Sequence, residues 1–217
     1  GAMPAKNMMV FKLAGMEPTA KVVYAASAGN WIMRHEPEIW ARTAKYVMLP
    51  TYLNYKLTGN LIDSASNQIG HIPFDYKNRR WMKPGSLTRC FCDVPNEKLC
   101  DLVPSGTVIG TVTEEVSALT GIPAGLPLIS TGSDKGCETL GLAVVDSDKA
   151  SISLGTTATI QFSTTQYVEP QQFLPAYPGV LNDHYNPEIE IYRGLWLLSW
   201  FVKEFGTADA IDAKEMG

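Results

Sequence analysis

Ala150-Ser151-Ile152-Ser153-Leu154 alternates apolar and polar residues with a period of two, and Ala158-Thr159-Ile160-Gln161-Phe162 does so again. The two runs flank Gly155-Thr156-Thr157, so the pattern predicts a β-hairpin. Upstream, the apolar run Leu126-Pro127-Leu128-Ile129 predicts a strand, and the small-residue stretch Cys137 to Val144 predicts a helix. Between them lies Ser130-Thr131-Gly132-Ser133-Asp134-Lys135-Gly136, which places a carboxylate at the end of a strand.

The earlier part of the chain reads mainly as helix over residues 19–59. From Ile39 to Tyr55 the apolar residues recur at near-helical spacing. Pro37 ends one helix and starts another, and Pro50 breaks or kinks the later run. Gly59 suits the left-handed position after a last helical turn. Leu61 to Gln68 is short and polar. A linker is expected from Ile72 through Trp81, then a short helix from near Pro84 to Arg89. Leu102 to Gly106 reads as a turn and Val108 to Val112 as a strand. A helix follows, with Thr113 as its cap and Glu114 and Glu115 in its first turn, and it stops at Gly121. Gly194 to Phe205 predicts an apolar helix whose Trp196 and Trp200 pack against the sheet or a segment beyond it. The pattern changes near residues 145–149, which divides the chain into domains at 1–147 and 148–217. A hairpin and one helix make a thin core, so the second domain reads as truncated.

Composition narrows the class. Hydrophobic residues make up 45% and charged residues 18% of the 217, as in a folded protein rather than a disordered one. The net charge of −4, with no Lys/Arg-rich run, argues against nucleic acid or an acidic membrane as partner. No apolar run approaches the roughly 20 residues of a membrane helix. The start lacks a signal-peptide pattern, and Gly1-Ala2-Met3 reads as a tag-cleavage remnant. Of the four cysteines, Cys90 and Cys92 are two apart, which is not CxxC spacing, and the three histidines are scattered. No metal site is expected, and the thiols read as free in a reducing cytoplasm.

Asp134 carries the chemistry. At a strand's C-terminal end it suits a general base, while its place before a helix equally suits an N-cap. Gly155, Thr156 and Thr157 offer N–H and hydroxyl donors for phosphate, or simply turn the hairpin. Lys135 suits either a phosphate charge or a solvated helix start. Glu138 shares the helix face of Asp134. Asp63, Ser64 and Asn67 line a sugar cleft or cap a turn. Trp31 and Trp81 stack on a sugar or belong to the core, and His71 reads as structural.

Six landmarks in order resemble the FGGY family of carbohydrate kinases. Trp31-Ile32-Met33-Arg34-His35-Glu36-Pro37-Glu38 resembles the family's tryptophan element, and Leu53 to Gly59 its LxxxLTG helix end. Asp63-Ser64-Ala65-Ser66 is similar to its TDxSNAS loop, and Thr120 to Pro127 to its TGLPAGTPV turn. Gly132-Ser133-Asp134 resembles GxxD, one residue shorter, and Ser153-Leu154-Gly155-Thr156-Thr157 resembles the phosphate loop. The DxGTxS start, the distal glycine-rich adenosine segment and the lysine before the first tryptophan are not found. The resemblance covers about Ala20 to about Gly206. It implies part of an RNase H-like, actin-like α/β fold: the rear of a sugar-binding domain and the opening of an ATP-binding domain.

It also implies ATP with Mg²⁺ as cofactors, a sugar or polyol as acceptor, Asp134 as the base, a phosphate site at Gly155, Thr156 and Thr157, and a homodimer. The competing readings are a non-catalytic sugar-binding or assembly module and an acceptor-independent, actin-like ATPase.

Overall fold

Short helices fill the first part of the chain in the computed structural model, which describes residues 3–206. They are α1 (Ala5–Leu13), α2 (Glu17–Ala26), α3 (Ala28–His35), α4 (Pro37–Arg42) and α5 (Leu49–Thr58). Phe11 of α1 and Ala20 and Tyr24 of α2 are buried together, with the rings of Phe91 and Phe173 centred 5.1 and 5.3 Å from Phe11. Met3, read as part of a tag remnant, is 7% exposed and belongs to this cluster. The helical run expected from Ile39 to Tyr55 is interrupted: Thr43 leaves α4 in an extended conformation, and the Tyr46 amide donates to the Lys98 carbonyl. Pro50 lies in the first turn of α5, where a missing N–H costs nothing, so it starts a helix rather than breaking one. Gly59 closes α5 at φ 79°, as its position predicts.

Small sheets follow. Strand β1 (Ile62–Ser64) runs parallel to β4 (Asp101–Val103). Between them, β2 (Phe74–Asp75) and β3 (Arg80–Trp81) form a hairpin where a linker was expected. Phe74 is fully buried there, edge-on to Tyr76 and Trp81 at 5.1 and 5.6 Å, which is why the segment is ordered. The helix expected near Pro84 to Arg89 is a 3-10 turn over Leu87–Phe91. Strand β5 (Val108–Thr111) leads into α6 (Glu114–Thr120), with the Thr113 hydroxyl accepting from the Val116 amide and Gly121 at φ 78°. Strand β6 (Pro127–Ile129) then pairs antiparallel with β5.

Helix α7 (Asp134–Gly141) starts at Asp134 itself, three residues earlier than expected. It packs on β7 (Ala150–Leu154), which pairs with β8 (Ala158–Phe162) in the register Leu154 to Ala158 that the alternation predicts. Strands β9 (Tyr177–Pro178) and β10 (Tyr185–Asn186) pair with each other, and β11 (Glu188–Ile191) joins the far side of β8. Helix α8 (Trp196–Phe205) ends the described chain. The three-stranded sheet buries its polar face: Ser151, Thr159 and Gln161 are covered, while Ile152, Leu154, Ile160, Ile189 and Ile191 are exposed. Trp196 and Trp200 of α8 are exposed as well. No helix among the described residues is long and apolar enough to cross a membrane.

Candidate active site

Ser133, not Asp134, caps α7: its hydroxyl accepts from the Gly136 amide at 3.1 Å. The capping account of Asp134 is therefore corrected. Asp134 occupies the first helical position, exposed, with Oδ1 accepting from the Lys135 amide at 2.8 Å. Its Oδ2 has no hydrogen-bond partner among the described residues. A carboxylate at this end of a helix is stabilised by the dipole and keeps an oxygen free to take a proton.

The loop between β6 and α7 that delivers Asp134 is held in place by hydrogen bonds. The Ser133 amide donates to the Ser66 carbonyl at 3.0 Å, and the Ser66 hydroxyl donates to Gly179 O at 2.6 Å. A β-carbon on Gly132 would meet Val180 Cγ2 at 2.7 Å, so a glycine permits the close packing. Ser66 belongs to the 3-10 turn Ala65–Asn67. That turn rests on Asp63, whose carboxylate accepts from the Thr51 hydroxyl (2.7 Å), the Ser64 amide (2.7 Å), the Asn67 amide group (3.2 Å) and the Gln68 amide group (3.2 Å). Asp63 is 3% exposed and Ser64 0%. The Ser64 hydroxyl lies 3.1 Å from that of Ser105, which donates to Thr131 O at 2.9 Å. Asp63 and Ser64 thus form the floor beneath Asp134 rather than the wall of an open cleft. Asn67 is half-buried.

The turn after β7 is joined to the start of α7 through Lys135 and Ser153. The Gly155 amide donates to Thr157 O at 2.9 Å, and the carbonyls of Thr156 and Gly155 accept from the amides of Gly194 and Leu195 at 2.9 and 2.8 Å. The hydroxyls of Thr156 and Thr157 have no partner among the described residues and are free to donate to a ligand. Lys135 spans the two halves. Its ammonium lies 2.7 Å from Ser153 Oγ and 3.0 Å from Glu138. Neither sequence account of Lys135 anticipated Ser153.

Glu188 escaped the sequence reading, although Glu188-Ile189-Glu190-Ile191 alternates as a strand should. Burial pushes its carboxyl up, the like charges of Glu190 and Asp134 add to this, and Lys135 opposes it. Gln161 donates to Glu188 at 2.7 Å. Trp31 is exposed and stacked on His35 at 4.9 Å, whereas the Trp81 indole donates to Cys100 O at 2.7 Å within the core. A cavity of about 380 Å³ lies elsewhere, walled by Phe11, Tyr76, Phe91, Phe173 and Tyr177 and by His71, whose imidazole burial holds below its usual pKa. Neither Asp134 nor the Gly155–Thr157 turn lines it. Volume alone would choose this cavity, but the free carboxylate and the free hydroxyls are at the other place. Among the described residues no three His, Cys, Asp or Glu side chains converge to hold a metal ion.

Solved structures share this fold. A xyloylose kinase from Brucella ovis superposes with a TM-score of 0.71 at 23% identity, covering 91% of this chain and 39% of that one. A xylulose kinase from Rhodospirillum rubrum gives a TM-score of 0.73 at 22% identity, over 88% of this chain and 39% of that one. The fold is part of the RNase H-like, actin-like α/β class. Residues 9–141 match the FGGY family of carbohydrate kinases, N-terminal domain, and the chain belongs to that family. An uncharacterized sugar kinase of Escherichia coli K12, YgcE, is 32% identical over 164 residues, which is 75% of this chain and 33% of that protein. The xylulose kinase of the same strain is 28% identical over 181 residues, 82% of this chain and 36% of that protein. The chain thus spans about a third of the length of these relatives.

Proposed function

We propose that this chain is the central part of an ATP-dependent kinase that phosphorylates a hydroxyl of a sugar or polyol. The observation that carries the reading is Asp134: capping falls to Ser133, so its carboxylate stays exposed and available. Asp134 accepts the proton of the acceptor hydroxyl as that oxygen bonds to the terminal phosphorus of ATP and the bond to the ADP oxygen breaks. The Gly155–Thr157 turn holds the β- and γ-phosphates through the hydroxyls of Thr156 and Thr157. Asn67 is the member of the Asp63, Ser64 and Asn67 group with a surface for the acceptor, and the two buried members keep its turn in place. Magnesium accompanies ATP in such reactions, but this chain's described residues offer no carboxylate cluster for it, and no step is assigned to it.

The two domains meet between residues 147 and 148 in this reading. The test is acceptor-dependent ADP formation by the whole protein, over a panel of pentuloses, glycerol and hexoses. Asp134→Asn should lower turnover about 10²- to 10⁴-fold with the fold intact. ADP formation that needs no acceptor would instead favour an ATPase. Sugar binding that persists without any turnover in the unmodified protein would favour a non-catalytic sugar-binding module.

A further inference from the structure

Lys135 carries more than a helix-surface charge. Its ammonium lies 2.7 Å from Ser153 Oγ and 3.0 and 3.2 Å from the two carboxylate oxygens of Glu138. A phosphate would have to share this ammonium with both partners. A second link joins the same two elements four residues further along the helix: the Thr139 hydroxyl lies 3.0 Å from that of Ser151, and both residues are buried. Four residues of helix rise about 6 Å and two residues of strand about 6.8 Å, so the two links fit as successive rungs between α7 and β7. The inner rung is dry. The outer rung, Lys135 to Ser153, stands directly beside Asp134 and two residues before Gly155. It also crosses the proposed boundary between the two domains.

We propose that Lys135 is a positioning residue that holds the Asp134 end of α7 at a fixed separation from the Gly155–Thr157 turn. The idea rests on the kinase reading for its functional meaning, but the mechanical link is independent of it. Glu138 orients the ammonium from the same helix, and Ser153 receives it on the strand. With Lys135 removed, the inner rung still joins the elements, so the loss is of alignment rather than of fold.

The test is a double-mutant cycle on Lys135 and Ser153, read in two ways. Native-state hydrogen exchange on the whole protein is the first. Lys135→Met should speed exchange of the Gly155 amide, which donates to Thr157 O, Ser153→Ala should speed those of residues 135–137, each about fivefold, and the double variant should add nothing. Unchanged exchange at the opposite element in both single variants would overturn the proposal, as would full additivity. Steady-state kinetics of the whole protein is the second reading. Lys135→Met should lower kcat and leave the acceptor KM unchanged, and Lys135→Arg should restore most of the loss. A raised KM for ATP with unchanged kcat would make Lys135 a phosphate ligand and sink the positioning role. Coupled exchange in a protein that phosphorylates no acceptor would leave the link standing and count against the kinase reading alone.

Discussion

Gly194 approaches Gly155 so closely that a β-carbon on Gly194 would lie 2.0 Å from the Gly155 carbonyl oxygen and 2.5 Å from that of Thr156. The contact is backbone against backbone, made by the amides that enter α8. No side chain can move aside to relieve it.

Gly194→Ala should therefore destabilise the chain by about 1–3 kcal/mol, the usual range for overpacking. The turn should loosen with it, since the two carbonyls lose their donors. Urea unfolding followed by tryptophan fluorescence checks the stability. A variant as stable as the parent would show that the helix start and the turn do not meet in this way.

Asp63 allows a sharper separation of roles. Its carboxylate is surrounded by donors from Thr51, Ser64, Asn67 and Gln68, and it is buried. In Asp63→Asn an NH₂ group replaces one acceptor oxygen and faces other donors. The expected cost is about 1–3 kcal/mol, that of leaving buried polar groups unpaired. Asn67→Ala should cost less in stability, because Asn67 is half solvated and is only one of four donors. Parallel denaturation curves decide. If Asp63→Asn matches the parent in stability and alters only acceptor affinity, Asp63 is a substrate ligand after all.

The contrast between these residues shows what a sequence carries. The β7–β8 hairpin was legible because a period-two pattern on both sides of Gly155-Thr156-Thr157 fixes pairing and register. Alternation says that the two faces differ, and not which one the protein covers. Here the serine, threonine and glutamine face is covered by α7, and the isoleucines face outward. Asp134 was expected at a strand end, but it starts α7 five residues after β6 ends at Ile129, and its freedom from capping depended on which neighbouring hydroxyl reached Gly136. The floor under it was not legible. It joins Thr51 from α5, Gln68 after a turn and Ser105 from a distant loop, and no local pattern relates the three. Gly194 looked like an ordinary helix start because the partner that requires a glycine lies far back in the chain.

Thiol chemistry gives a third expectation. All four cysteines are free, and Cys137 is the exposed one. Burial pushes the Cys100 thiol up to about 11 and raises those of Cys90 and Cys92 as well. Near pH 8 a thiol-specific chromophore should therefore react in a fast phase with Cys137 and reach Cys92 and Cys100 only after denaturation. Cys137→Ala should delete the fast phase. A fast phase that survives this substitution would place another thiol at the surface.

Glu188 sets a pH dependence whose sign can be worked out. Burial raises its carboxyl above the usual glutamate value, with help from Glu190 and Asp134. The folded state then holds the proton more tightly than the unfolded state. Stability should fall as pH rises from the unfolded value through the raised folded one, and the cost persists at neutral pH. Glu188→Gln removes that cost while leaving an oxygen to accept from Gln161. The variant should melt higher than the parent at pH 7, by roughly 1–2 °C given that the group is half solvated and partly screened. Below the unfolded glutamate value both side chains are neutral, and the gain should vanish. Melting curves at pH 4 and pH 7 test this directly. A gain of equal size at both values would assign the effect to packing rather than charge. A loss at pH 7 would mean that the ionised Glu188 is held by Gln161 and Lys135 more strongly than burial opposes it.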